Sequence, residues 1–204
     1  EALYVTLEAK GFLKKEITDT LGKFGSILSG HPTIEVPGIE VNTGALGHGL
    51  SIGVGMALAA KMDKRDYKTF VMMGDGEQGE GSIYEAAMAG HQYKLDNLVA
   101  IIDRNHLQIS GNTEDVMAIE DIAARWTAFG WDVKRMDGDD MEDIMKTFAA
   151  IDYNNHKPHL LISNTTKGKG VSYMENVAKW HHGMPSEEQY RQALSEIDER
   201  IKNL

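Results

Sequence analysis

The sequence contains no cysteine. This excludes disulfides, thiolate zinc sites and cysteine nucleophiles, and it fits a reducing, cytoplasmic compartment. Long apolar runs are also missing. The longest, Met56 to Ala60 and Leu98 to Ile102, are five residues each, against the roughly 20 needed to span a bilayer. Positive charge is in short supply, with 21 Lys and Arg against 31 Asp and Glu and a net charge of −10. A sequence-independent nucleic-acid binder needs a basic face, so neither nucleic acid nor membrane is expected as a partner. What is present is enough for a folded core: 204 residues, 42% hydrophobic and 25% charged, which excludes global disorder.

Helical and strand-like segments alternate along the chain. Helices are expected over Ala2 to Leu13 (stopping near Gly11), Leu50 to Met62, Ser82 to Tyr93, Glu120 to Phe129, Met141 to Ala150 and Ser186 to Asn203. Ser82 reads as an N-cap with Glu85 at the capping-box position. Strands are expected at Phe70 to Met73, Leu98 to Ile102, Trp131 to Arg135 and His159 to Asn164. Met72 and Met73 read as core packing. Continuous apolar strands separated by helices indicate an α/β fold, a doubly wound parallel sheet flanked by helices. The absence of a linker or repeat points to a single domain, residues 1–204, with an irregular N-terminal segment. The chain begins at Glu1 inside a helical pattern, so residues are expected upstream. The charged helix running to Leu204 is expected to be a natural end, a fragment of a longer chain being the other reading.

Ligands of open parallel sheets sit beyond the carboxyl ends of the strands. Gly74-Asp75-Gly76-Glu77 leaves one expected strand, and Asn105-His106-Leu107 leaves the next, with Asn105 thirty positions after Asp75. That spacing is one strand–helix–strand unit, so Asp75 and Asn105 should emerge side by side. A carboxylate, an amide oxygen and a loop carbonyl are hard donors, suited to Mg²⁺ or Ca²⁺ and unsuited to zinc. The amides of Gly76 and Glu77 could approach a diphosphate. The plainer reading of Gly-Asp-Gly, a tight turn, stays open on these residues alone.

The stretch GDGEQGEGSIYEAAMAGHQYKLDNLVAIIDRN resembles the thiamine diphosphate signature, which opens with Gly-Asp-Gly and closes at Asn. Gly30-His31-Pro32, Pro37-Gly38-Ile39-Glu40-Val41, TGALGHGLSIGVGMALAAK, Glu80-Gly81, Glu85-Ala86 and His182-Gly183 closely resemble transketolase, over nearly the whole chain. The resemblance implies a thiamine-diphosphate-binding fold, with thiamine diphosphate and Mg²⁺ as cofactors and Ca²⁺ or Mn²⁺ able to substitute. It implies that Asp75, Asn105 and the Leu107 carbonyl bind the metal. Gly74, Asp75, Gly76, Glu77, Asn105 and His182 would lie around the diphosphate, and Gly44, Ala45 and Leu46 along the aminopyrimidine and thiazolium. His31 and His182 would act on substrate hydroxyls and protons. Glu80 and Glu85 match acidic residues that link paired active sites across a dimer interface. The motif assigns nothing to His48.

Transketolases are three-part chains much longer than this one, and only the diphosphate-binding part is present. The pyrimidine-binding and C-terminal domains are therefore expected on a partner chain, in an α2β2 heterotetramer acting on sugar phosphates. The implied activity is that of a transferase of carbohydrate metabolism: ketol transfer from a ketose phosphate to an aldose, with pentose phosphate sugars as the default and a branched or modified sugar as the variant. Two alternatives stand beside it. One is the α-subunit of another thiamine enzyme, such as a 2-oxo acid dehydrogenase, and the other is a noncatalytic paralogue.

Overall fold

A computed structural model describes residues 1–203; Leu204, where the expected natural end falls, lies outside them. The chain divides into two compact units, residues 1–46 and the residues from Gly47 onward.

In the first unit, α1 (Ala2–Ala9) and the short α2 (Lys15–Thr18) precede a run of turns. Gly11, at φ +82°, follows the end of α1 as expected. Tyr4, Leu7, Leu13, Leu28 and Val36 form a small core, and the Tyr4 hydroxyl donates to the Ser29 carbonyl at 2.6 Å.

The second unit opens with α3 (His48–Met62), β1 (Thr69–Gly74), a 3-10 turn over Gly76–Gly79, α4 (Gly81–Gln92) and β2 (Leu98–Arg104). A small hairpin of β3 (Leu107–Gln108) and β4 (Gly111–Asn112) follows, then α5 (Thr113–Val116), α6 (Ile122–Ala128), β5 (Asp132–Asp137), α7 (Met141–Ala149) and β6 (His159–Asn164). A second 3-10 turn, Ala178–His181, leads to α8 (Glu187–Lys202). The main sheet is wholly parallel in the order β1-β2-β6-β5. Leu98, Ala100, Ile102, Leu160 and Ile162 face α3, α4 and α6, where Trp126 and Trp131 meet edge to face at 4.7 Å. Val99, Leu161 and Met136 face the other way, against Ile144 and Phe148 of α7. Helices thus cover both faces, which is why the central strands read as continuous apolar runs.

Three local expectations are corrected. Strand β1 lies at a sheet edge and alternates: Val71 and Met73 are buried, whereas Phe70 is 51% and Met72 67% exposed. Met72 is therefore not a core residue. Ser82 does not cap α4. Glu80 holds the N-cap position without a side-chain bond, and the Ser82 hydroxyl donates instead to the Gly47 carbonyl at 3.0 Å, so no capping box forms with Glu85. Helix α6 starts at Ile122, because the Asp121 carboxylate accepts from the amides of Ala123 and Ala124. Where the terminal helix was expected, Ser186 and Gln189 form a true capping box.

Candidate functional site

The register sets Gly74 beside Asp103, and Asp103 beside Ser163, so β1, β2 and β6 end level with one another. Immediately beyond, Asp75 caps the first 3-10 turn and is 2% exposed. Its Oδ1 accepts from the Gly76 amide at 2.7 Å. Its Oδ2 accepts from the His106 amide at 2.7 Å and from Arg104 Nη1 at 3.0 Å. The Asp75 carboxylate therefore sits against the peptide that follows Asn105, the juxtaposition expected from the thirty-residue spacing. His106 has φ +64°, a left-handed conformation that turns the chain out of β2 and into the hairpin.

Asn105 is held on both sides. Its Oδ1 accepts from the Leu107 amide at 3.0 Å, and its Nδ2 donates to Asp103 Oδ2 at 3.2 Å. The other Asp103 oxygen accepts from the Thr165 hydroxyl. Glu77 contributes its carboxylate to architecture: Oε1 accepts from the Gly47 amide at 2.8 Å and Oε2 from the Gly74 amide at 3.1 Å. Two glycines sit tightly here, Gly47 with no room for a side chain and Gly76 against the flexible Gln108 side chain. A Cβ on Gly47 (φ +81°) would lie 2.5 Å from the Ser82 hydroxyl oxygen and 2.7 Å from Glu80 Cβ, and one on Gly76 would lie 3.0 Å from Gln108 Cγ.

The Ala178–His181 turn packs beside β3, bringing His181 and His182 to the same end of the sheet. Their rings meet edge to face at 4.7 Å. Both are exposed, yet partial desolvation, followed by the charges of Lys167 and His182, pushes His181 below the usual imidazole value. Glu80 and Glu85 are both exposed, on and just after the start of α4. In the first unit, His31 and Gly44 lie together: Gly44 has φ +109°, and a Cβ on it would be 3.0 Å from His31 Cγ. Ala45 and Leu46, both exposed, end that unit. The second unit thus brings together Gly74, Asp75, Gly76, Glu77, Asn105 and Leu107, and the first brings together His31 and Gly44.

Sequence reasoning misses Arg104, which is 1% exposed and bonded to Asp75, Thr113, Glu114 and Glu120. Burial pushes the Glu120 carboxyl upward, but the Ile122 amide and the Arg104 guanidinium outweigh it, and the net shift is downward. Asp103 and Lys167 are missed too. The one signal in the sequence is charge at the end of a buried strand, where a residue is either solvated or paired with something remote.

Among the described residues, no three His, Asp or Glu side chains converge on a point, so the protein alone builds no cage for a cation. The carboxylate of Asp75 has about four acceptor positions, and three are occupied, leaving one on Oδ1. A carboxylate oxygen here and an amide oxygen at Asn105, at the end of the adjacent strand, are hard donors that fit Mg²⁺, which takes few protein oxygens and completes its shell with water and phosphate.

Residues 2–197 match the family described as transketolase, thiamine diphosphate binding domain. A relative from Phocaeicola vulgatus, named as one of the subunits of apulose-4-phosphate transketolase, is 78% identical over all of this chain and 73% of its own length. The 6-deoxy-6-sulfo-D-fructose transketolase subunit SqwG of a Clostridium species is 38% identical over 97% of this chain and 72% of its own. The crystal structure of transketolase from Campylobacter jejuni superposes with a TM-score of 0.83 at 34% identity, over 90% of this chain and 30% of that one. A site of oxygen donors and close-approach glycines at the strand ends, on a fold and sequence of this kind, has one family context: the chain belongs to the transketolase family and carries its thiamine diphosphate-binding domain.

Proposed function

We propose that this chain is the diphosphate-binding subunit of a two-chain transketolase, which moves a two-carbon ketol unit from a ketose phosphate to an aldose. The observation that carries the cofactor side is the 2.7 Å bond from the His106 amide to Asp75, which fixes the two metal-binding candidates on adjacent strand ends. Asp75 and Asn105 hold Mg²⁺ through their side chains and Leu107 through its carbonyl. The Glu77 amide receives the diphosphate next to Gly76, whose own amide is engaged by Asp75 Oδ1, with Gly74 leaving room and His182 beside it. Gly44, Ala45 and Leu46 line the aminopyrimidine and thiazolium. Thiamine diphosphate supplies the electron sink for cleaving and forming the carbon–carbon bond. His31 and His182 hydrogen-bond the substrate hydroxyls and move protons there, work suited to imidazole near neutral pH. Glu80 and Glu85, exposed and free of capping duty, link paired sites between copies.

The partner is a C-terminal, pyrimidine-binding transketolase chain, with two copies of each. Support comes from relatives that are themselves named as single subunits of a transketolase. The donor we infer is apulose 4-phosphate, on the 78% identity to the relative named for it. The relative named for 6-deoxy-6-sulfo-D-fructose is much more distant, at 38%. A reaction on phosphorylated sugars of this kind belongs in the cytoplasm.

The test is to reconstitute the chain with its candidate partner, supply thiamine diphosphate and Mg²⁺, and analyse products. Apulose 4-phosphate with an aldose phosphate acceptor should give a new ketose phosphate two carbons longer than the acceptor. No transfer from any ketose phosphate, in a complex that retains the cofactor, would favour the noncatalytic reading. Transfer only from a different ketose would move the donor assignment alone.

A further inference from the structure

Arg104 uses every donor it has. Nε donates to Glu120 Oε1 at 3.1 Å; Nη1 donates to Asp75 Oδ2 at 3.0 Å and to the Thr113 hydroxyl at 2.7 Å; Nη2 donates to Glu114 Oε1 at 3.2 Å and to Glu120 Oε1 at 2.9 Å. These contacts account for all five N–H groups of a guanidinium. The side chain is 1% exposed, Asp75 is 2% exposed, and the two glutamates are 43% and 38% exposed. The segment from Thr113 to Glu120 is further closed on itself, because Glu114 accepts from the amides of Ile119 and Glu120 at 3.5 Å.

A guanidinium this deeply buried needs a counter-charge, and Asp75 alone would supply it. Two more carboxylates are nevertheless gathered around the same group, so one positive charge is met by three negative ones. The surplus of two negative charges equals the charge of one divalent cation. Arg104 also takes only Oδ2 of Asp75, and with the His106 amide it fixes the carboxylate so that Oδ1 keeps an open acceptor position.

We propose that Arg104 is a positioning residue for the metal side of the cofactor site, orienting Asp75 while Glu114 and Glu120 balance its charge so that Asp75 can accept a divalent cation. The inference rests on the reading of Asp75 and Asn105 as metal ligands. Without the two glutamates, Arg104 and Asp75 would form a neutral pair, and the guanidinium would oppose the incoming cation. A lysine in its place would keep the charge but could not serve four partners from one fork.

The experiment measures Mg²⁺ affinity by calorimetry in the assembled complex, at saturating thiamine diphosphate, alongside the metal-free melting temperature. In Glu114→Gln/Glu120→Gln the Mg²⁺ dissociation constant should rise by about tenfold or more, more than any change in metal-free melting accounts for. Arg104→Lys should raise it by a smaller factor, about three- to tenfold, and serves as the reading should the double variant fail to assemble. Mg²⁺ affinity within about twofold of the parent in both variants, with Asp75→Asn abolishing it, would overturn the role of Arg104 and leave the metal site standing. Unchanged Mg²⁺ affinity in Asp75→Asn would instead remove the metal reading on which the proposal rests.

Discussion

The two ends of the parallel sheet treat acidic side chains in opposite ways. At the carboxyl end, Asp75, Glu114 and Glu120 surround a single guanidinium, and Asp103 organises Asn105 and Thr165. At the amino end, acids and bases are closer to balance: Asp96 meets Lys61 at 2.6 Å and His156 at 3.4 Å, and Asp132 meets Lys134 at 3.0 Å and His159 at 3.2 Å. The buried side-chain atoms without a partner, Asn97 Oδ1 and His159 Nε2 among the described residues, both belong to the amino end. Orphaned polarity, which costs about 1–3 kcal/mol per group, therefore does not mark the candidate site in this protein. Surplus negative charge held in fixed geometry marks it.

The contrast can be broken most directly at Asp75. Asp75→Asn keeps the shape but removes the charge, and Mg²⁺-dependent thiamine diphosphate binding in the assembled complex is expected to weaken by about a hundredfold or more. Retained binding by calorimetry would mean that the carboxyl end is structural after all. The converse test lies at the other end. Asp132→Ala removes the acceptor of His159, Lys134 and Asn155 and should lower stability by about 1–3 kcal/mol in denaturant melts. Cofactor affinity should stay within about twofold, and a larger loss would tie the two ends together.

Acid titration separates the ends more finely. Glu120 is held below its ordinary value of 4.5 and Asp132 below 3.8. A carboxyl depressed by folding stabilises the native state above its unfolded-state value, and that stabilisation is lost as pH falls through the folded value. Melting temperature should therefore begin to drop just below pH 4.5 through Glu120 and lower still through Asp132. Glu120→Gln should remove the first part of the decline only. The smallest effect is expected on the exposed face of β1: Met72→Ser should change stability by less than about 0.5 kcal/mol, whereas its buried neighbour Met73 would not tolerate such a change.

Sequence order alone foretold the parallel α/β sheet and the emergence of Asp75 and Asn105 from adjacent strand ends, because both follow from short-range periodicity and the length of one strand–helix–strand unit. Strand β6 was readable in full, being buried along nearly its whole length. Apart from the start of α6, which a local Asp121 cap sets, the misses trace to the tertiary surroundings of the residue. Ser82 satisfies every local rule for a cap, yet a carbonyl 35 residues away takes its hydroxyl. Met72 has the composition of a core residue, but β1 is an edge strand and its second face stays exposed. Arg104 finds its outer partners 10 and 16 positions later, through a segment with no periodicity to read.

His106 carries a consequence for which residues its position can accept. The left-handed turn at φ +64° admits residues tolerant of that conformation, and its amide must stay a donor to Asp75. A library randomised at position 106 and selected for cofactor retention should return glycine, asparagine and histidine. Valine and isoleucine would be missing for steric reasons, and proline because it has no hydrogen to give.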